Sequence, residues 1–312
     1  MSRFGSSWVT ASGSVGRRRL DLTLTASLAF SLLAALFFLA MLLSFAAQSW
    51  PVWRHEGFGY LTGTTWFYRA QLFGVLPMVY GTLVVSAVAL AVAAPVAFGA
   101  AIFIAEFLPA RWRLAFKLPV ELLAGVPSVV YGLLGILFLR PWVYLLLQPW
   151  EPLSGDTLLT GGLLLGLMIL PTVTTLAEDA LRGVPASQRQ GARGLGLSST
   201  ETLLHVSLPR AAPGMVAALL LGLGRALGET IAVYLVIGRQ DNQWPERLLS
   251  ATPLTRAGQT LTSKLGGSET HLAWGDPLHW GAIMGLALVL FVLVAVLTLV
   301  GAHLVRARGC HA

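Results

Sequence analysis

Arg225 and Glu229 are the two charges left over when every other Lys, Arg, Asp and Glu of this chain is assigned to one side of a membrane. Both sit inside the apolar stretch Pro213–Ile237. A guanidinium stays protonated in proteins and offers a planar fork of donors that suits an oxyanion. A carboxylate beside it can neutralise it or accept a proton from the anion. The i, i+4 spacing predicts one helix face for both, close enough to pair. A charge near the bilayer centre costs at least about 2.5–3.5 kcal/mol on insertion scales. Two readings stay open: a self-neutralising pair that locks helix packing, or an arginine that meets an anion on its path. Thr172, Thr174 and Thr175 follow Pro171 and offer hydroxyls to such a path, although threonines in spans commonly bond helix carbonyls. Thr82, Ser86 and Ser128 read the same way, and Glu178-Asp179 reads as a solvated loop pair.

Six apolar stretches must position these groups: Leu22–Ala47, Leu76–Ile104, Val120–Leu147, Leu158–Leu176, Pro213–Ile237 and Trp280–Val305. Each approaches or exceeds the roughly 20 residues a spanning helix needs. The first follows Arg17-Arg18-Arg19 but is too long for a signal-peptide core of about 7–15 residues, so it reads as a retained helix. Of the 312 residues, 55% are hydrophobic and only 11% charged, too few charges for a water-facing surface. The 33 glycines suit close helix packing in lipid. The single cysteine, Cys310, excludes an internal disulfide. The fold expectation is therefore an all-α integral membrane protein with six transmembrane helices.

Orientation follows from charge. The N-tail, the 105–119 and 177–212 loops and the C-tail together hold thirteen basic and six acidic residues, against seven and seven on the other side. The positive-inside rule makes the first side cytoplasmic, with both termini inside. The basic balance thus reports topology and no nucleic-acid partner; membrane lipid is the expected surround. The six histidines are scattered without ligand spacing, so no metal site is expected. No G-x-x-x-x-G-K-[ST] loop is present, so ATP chemistry belongs to another chain. The chain reads as no enzyme, with no cofactor of its own and no nucleophile–base constellation.

The 182–209 loop is the most informative segment. Pro185 suits a first helical position, Gly194 and Gly196 permit a turn, and Ser198 with Glu201 forms a capping box for a second helix. Pro209 ends that helix or bends it into the next span. The segment resembles the EAA motif of ABC importer permeases, E-A-A-x3-G-x9-I-x-L-P. Gln190, Gly191 and Ala192 take the first three places, Gly196 the glycine, Val206 the isoleucine, and Leu208-Pro209 the end. Gln190 for Glu and Gly191 for Ala depart from the pattern.

Two more segments narrow the resemblance: Glu121-Leu122-Leu123-Ala124-Gly125-Val126-Pro127-Ser128-Val129-Val130-Tyr131-Gly132, and Gly222-Leu223-Gly224-Arg225-Ala226-Leu227-Gly228-Glu229-Thr230-Ile231-Ala232-Val233. Both are similar to stretches of the phosphate permeases of the Pst system, the second in its PstC-type form. Gly81-Thr82-Leu83 also fits. The similarity covers roughly residues 70–240 and 280–305.

The resemblance implies a type I, MetI-like permease fold and a phosphate-importing subunit of a bacterial inner (plasma) membrane. It implies a PstA-type permease, a PstB-type ATPase dimer carrying ATP and magnesium, and a PstS-type periplasmic or lipid-anchored phosphate-binding protein as partners. It makes Arg225 and Glu229 substrate-pathway residues. Pro185, Ser187, Gln190, Gly191, Ala192, Gly196, Leu208 and Pro209 would belong to the ATPase-coupling segment. The expected organisation is a cytoplasmic tail at 1–21, a permease domain at 22–305 and a second tail at 306–312. Within the domain lie the coupling loop 182–209 and periplasmic loops 48–74, 148–157 and 238–279, of which the first and last are the expected docking surface for the binding protein. Phosphate near neutral pH still carries a proton and can donate to Glu229, whereas sulfate carries none. A second, compatible account has Glu229 occupy Arg225 at rest. An importer of another oxyanion (sulfate, molybdate or tungstate), a membrane enzyme and a signalling subunit are the competing functions.

Overall fold

A computed structural model describes residues 12–245 and 252–309, with side chains for residues 23–109, 111–245 and 254–303. Arg3, Arg247 and Cys310, and the side chains of Arg17, Arg18, Arg19, Arg306 and Arg308, lie outside that description. The chain divides into two compact units, residues 1–48 and 49–312. In the first, residues 12–48 are helix, the greater part of α1 (Ser12–Glu56).

The second unit holds α2 (Gly59–Thr62), the hairpin strands β1 (Trp66–Phe67) and β2 (Leu72–Phe73), and α3 (Leu76–Ile102), which closes in a π-helical turn at Phe103–Phe107. Next come α4 (Ala110–Ala124), α5 (Ser128–Leu134), a second π turn and α6 (Arg140–Leu147), then α7 (Leu158–Arg182). The loop segment is α8 (Ala186–Gly194) and α9 (Ser199–Thr202), which runs through a third π turn into α10 (Leu208–Gly228). α11 (Ile231–Val236), α12 (Leu261–Leu265), α13 (Glu269–Leu272) and α14 (Pro277–Gly309) complete it. Among the described residues six runs are long and apolar enough to cross a bilayer: Thr23–Glu56, Leu76–Phe107, Ser128–Trp150, Leu158–Arg182, Ser199–Gly228 and Pro277–His303.

Small residues let the central helices meet. Ala89, Ala93, Ala97 and Ala101 recur every fourth residue on α3, and all four are fully buried. Facing them, Gly162 of α7 has no room for a side chain, because a Cβ there would stand 2.6 Å from Val88 Cβ. With no hydrophobic drive between helices in lipid, such close backbone approach supplies the packing. α7 starts on Thr157, whose hydroxyl accepts the Thr160 amide at 3.1 Å.

Several span limits differ from expectation: the first span runs on to Glu56 instead of ending at Ala47, and the fourth to Arg182 instead of Leu176. The third span begins at Ser128, not Val120, because Gly125-Val126-Pro127 interrupts the helix. A proline holds its predecessor out of the helical region. The fifth runs over Ser199–Gly228 and stops before Glu229. Pro209 does not end its helix, since it falls in the first turn of α10 directly after the π turn and the helix runs on to Gly228.

At one end a polar knot joins the hairpin to the 238–279 segment. Lys264 is only 3% exposed and lies between Asp241, at 2.6 Å, and Glu269. Glu269 also accepts Trp66 Nε1 at 2.6 Å and lies 3.0 Å from His279 Nε2. Burial pushes the Asp241 carboxyl above its ordinary range, with Lys264 opposing. Burial also pushes Glu269 up, but hydrogen bonds from Lys264 and Trp66 outweigh it and leave Glu269 below its ordinary value. A depressed carboxylate stabilises the fold above its unfolded pKa and loses that stabilisation as the pH falls. Lys264→Met strands two carboxylates and should cost about 3–5 kcal/mol near neutral pH. Thermal unfolding of the detergent-solubilised protein should show the gap from wild type narrowing as the pH falls through the carboxylate range.

Candidate functional site

Two helix breaks face each other, and Arg225 joins them. α4 ends at Ala124, and Pro127 stops it from continuing into α5. The Ala124 carbonyl is therefore left without its helical partner. Arg225 Nη2 donates to that carbonyl at 3.3 Å, and Nη1 donates to Thr172 Oγ1 of α7 at 3.1 Å. Tyr131 of α5 reaches back to the Leu123 carbonyl at 2.9 Å. Thr172 lies about 15 Å along the α7 axis from Arg182, well inside the span.

The second break lies at Glu229. Its backbone is extended, at φ −74° and ψ 122°, so α10 stops at Gly228. Its Oε1 accepts the Ala232 amide at 3.1 Å and so closes the first turn of α11. α11 then presses on α5, where a Cβ on Gly132 would stand 3.2 Å from Ala232 Cα. The expected i, i+4 pair is absent: among the described residues no carboxylate makes an ion pair with Arg225. The helical spacing fails because the backbone leaves the helix between the two residues. Among the described residues, neutral oxygens hold the guanidinium. Irregular backbone at membrane depth is tolerated where protein buries it or where it lines a cavity.

The neighbouring hydroxyls divide. Thr174 donates to the Leu170 carbonyl at 2.8 Å, as threonines in spans commonly do, while Thr172 serves Arg225. Thr82 donates to Met78 and accepts the Leu261 amide. Glu178 is not solvated: it is 1% exposed and lies 2.7 Å from Lys117 Nζ of α4, which also reaches Asp179 at 2.8 Å. No cluster of three or more metal-ligating side chains occurs among the described residues. A cavity of about 790 Å³ lies away from Arg225 and is lined by residues of the 147–159 and 240–257 segments.

The 182–209 loop is a helix, a glycine turn and a helix. Gly196 has φ +89°, the left-handed region, and the Ser198–Glu201 capping box is closed in both directions. Pro185, Ser187, Gln190, Gly191, Gly196 and Pro209 are exposed, Leu208 is half-buried and Ala192 is buried. Leu195 stands out at 84% exposure. The buried face is tied down by Arg189, whose Nη2 donates to the Leu181 carbonyl at 2.5 Å and whose Nη1 lies 2.7 Å from Glu106 Oε1. Sequence reading does not single out Arg189 or Glu106, since no local spacing links them.

Residues 97–308 match the model of the binding-protein-dependent transport system inner membrane component. The chain belongs to that family. The phosphate transport system permease protein PstC of Mesorhizobium japonicum is 34% identical over 267 residues, covering 80% of this chain and 79% of the relative. A bacterial alginate ABC transporter solved with an alginate pentasaccharide-bound periplasmic protein superposes at TM-score 0.60 and 14% identity, covering 93% and 96% of the two chains. The inward-facing MetNI methionine ABC transporter gives 0.54 at 18% identity, over 75% and 94%. These likenesses give this family member the MetI-like fold of ABC importer permeases.

Gly196→Val forces a β-branched residue into the left-handed region, at a cost of about 1–2 kcal/mol. Hydrogen–deuterium exchange at residues 195–203 should speed up roughly tenfold, while α3 and α7 keep their protection.

Proposed function

We propose that this chain is the permease subunit of an ATP-driven importer of inorganic phosphate, one half of a hetero-dimeric pore in a bacterial inner membrane. The observation that carries the reading is the 34% identity to a phosphate transport permease over 80% of the chain. Its partners are a PstA-type permease, a PstB-type ATPase dimer that binds ATP and magnesium, and a PstS-type binding protein. ATP hydrolysis takes place on the ATPase. The excess of basic residues on the α8 side supports a cytoplasmic 182–209 loop and cytoplasmic tails at 1–21 and 306–312, flanking a permease domain at 22–305. The 48–74, 148–157 and 238–279 segments then face the periplasm.

Two working parts follow. The coupling segment presents Pro185, Ser187, Gln190, Gly191 and Gly196 to the ATPase, with Leu195 as an apolar knob; Ala192, Leu208 and Pro209 set its frame. With Gln190 in place of the pattern's glutamate, contact there rests on an amide instead of a charge. The anion part is Arg225, whose bonds to Thr172 and Ala124 are neutral and exchangeable. A passing phosphate offers the fork charged oxygens, a stronger pairing than neutral ones. Glu229, released from Arg225 by the helix break, accepts the proton that phosphate carries and sulfate lacks.

Arg225→Gln keeps a polar donor and deletes the charge. In proteoliposomes holding the assembled complex, the rate of phosphate uptake should fall roughly a hundredfold. The subunit ratio should stay that of the wild type, and the binding protein should still bind phosphate. Unchanged uptake would remove Arg225 from the pathway.

A further inference from the structure

Besides its continuation through the 195–198 turn into α9, α8 is attached to the spans in two ways. The covalent one is weak, because Gly183-Val184-Pro185 between α7 and α8 is not helical. The apolar one is small, since Ala192 is the only buried residue within α8 and Val184 precedes it. On those contacts alone the helix would pivot about residues 183–185.

Arg189 removes that freedom. It sits half-way along α8 on the face turned away from Ser187, Gln190 and Gly191. Nη2 takes the Leu181 carbonyl in the last turn of α7, which also accepts the Val184 amide. Nη1 meets Glu106 in the π turn that closes α3. The side chains are 20% and 14% exposed, so water screens the pair little. The π turn is itself held, because Arg113 of α4 donates to the carbonyls of Ile104, Ala105 and Leu108. Glu106 is thus a rigid anchor. From it the alanine stripe of α3 runs against α7, which carries Thr172 and so Arg225.

We propose that the Arg189–Glu106 ion pair is the strut that carries displacement of α8 into α3, and so links the ATPase-facing loop to the anion route. The proposal rests on the coupling role given to α8 above. Neither residue touches the anion or the ATPase; both are positioning residues. Losing the strut leaves α8 free to follow the ATPase while α3 stays still. Arg189 Nε and Glu106 Oε1 are both buried without a hydrogen-bond partner, so Nη1 meets Glu106 as a close ion pair while Nη2 alone is hydrogen-bonded, to Leu181. Lysine, which lacks the fork, reaches one of the two partners and restores the link in part.

The experiment uses the full complex in proteoliposomes and reads ATP hydrolysis and phosphate uptake together. Arg189→Gln and Glu106→Gln should each leave hydrolysis within about twofold of wild type and lower phosphate imported per ATP about tenfold. The double variant should be no worse than either single, because both remove one interaction. Arg189→Lys should recover part of the ratio. The proposal is overturned if phosphate per ATP is unchanged, if the two single effects multiply, or if the variants lose the ATPase subunit from the complex. Failure of the wild-type complex to import phosphate counts against the transport reading, whereas a normal ratio in the variants counts against the strut alone.

Discussion

A guanidinium that cannot be neutralised inside a bilayer is the constraint on which this structure turns. Lipid offers no partner, so the chain must supply oxygens at the depth of Arg225. It does so by breaking α4 from α5, which frees the Ala124 carbonyl, and by turning Thr172 inward from α7. A second break then carries Glu229 out of the helix, so that its carboxylate caps α11 and leaves Arg225 unpaired. Breaks of this kind cost hydrogen bonds in hydrocarbon, and they are tolerated in membrane proteins where they line or border a site. A pair serving packing alone would need none of this, since an unbroken helix already places i and i+4 together.

The rest of the fold holds those breaks in place. The small-residue seam between α3 and α7 gives Thr172 a fixed position. The two ends of the molecule are held differently. At one, Lys264, Asp241, Glu269 and His279 tie the hairpin to the 238–279 segment in a largely buried network. At the other, Arg113, Lys117 and Arg189 each reach across to a carbonyl or carboxylate of another element. Cations therefore bridge neighbouring elements at the α8 end.

What the sequence made legible was everything written in local period and spacing. Apolar runs of about twenty residues show six spans, and a Ser198–Glu201 box after Gly196 shows a helix after a turn. What it concealed was decided by residues far apart. Nothing local beyond Gly228 announces that Glu229 leaves the helix, and the packing of α11 against α5 that follows the break joins residues about a hundred positions apart. Glu178 looks solvated because its partner Lys117 is on another helix. Arg189 looks like one more loop cation until α3 brings Glu106 beneath it. The Gly125-Val126-Pro127 break was readable in principle from Pro127, but the apolar run on both sides masks it.

Exchange of the two charges tests the central claim most directly. In Arg225→Glu with Glu229→Arg, the net charge of the segment is unchanged, but the cation leaves Thr172 and the Ala124 carbonyl for a position beyond the helix break. Uptake of phosphate by the reconstituted, subunit-verified complex should fall to background, because the anion route loses its fixed cation at the break. Wild-type-like uptake in the exchanged protein would mean that Arg225 and Glu229 serve packing, and would contradict the account.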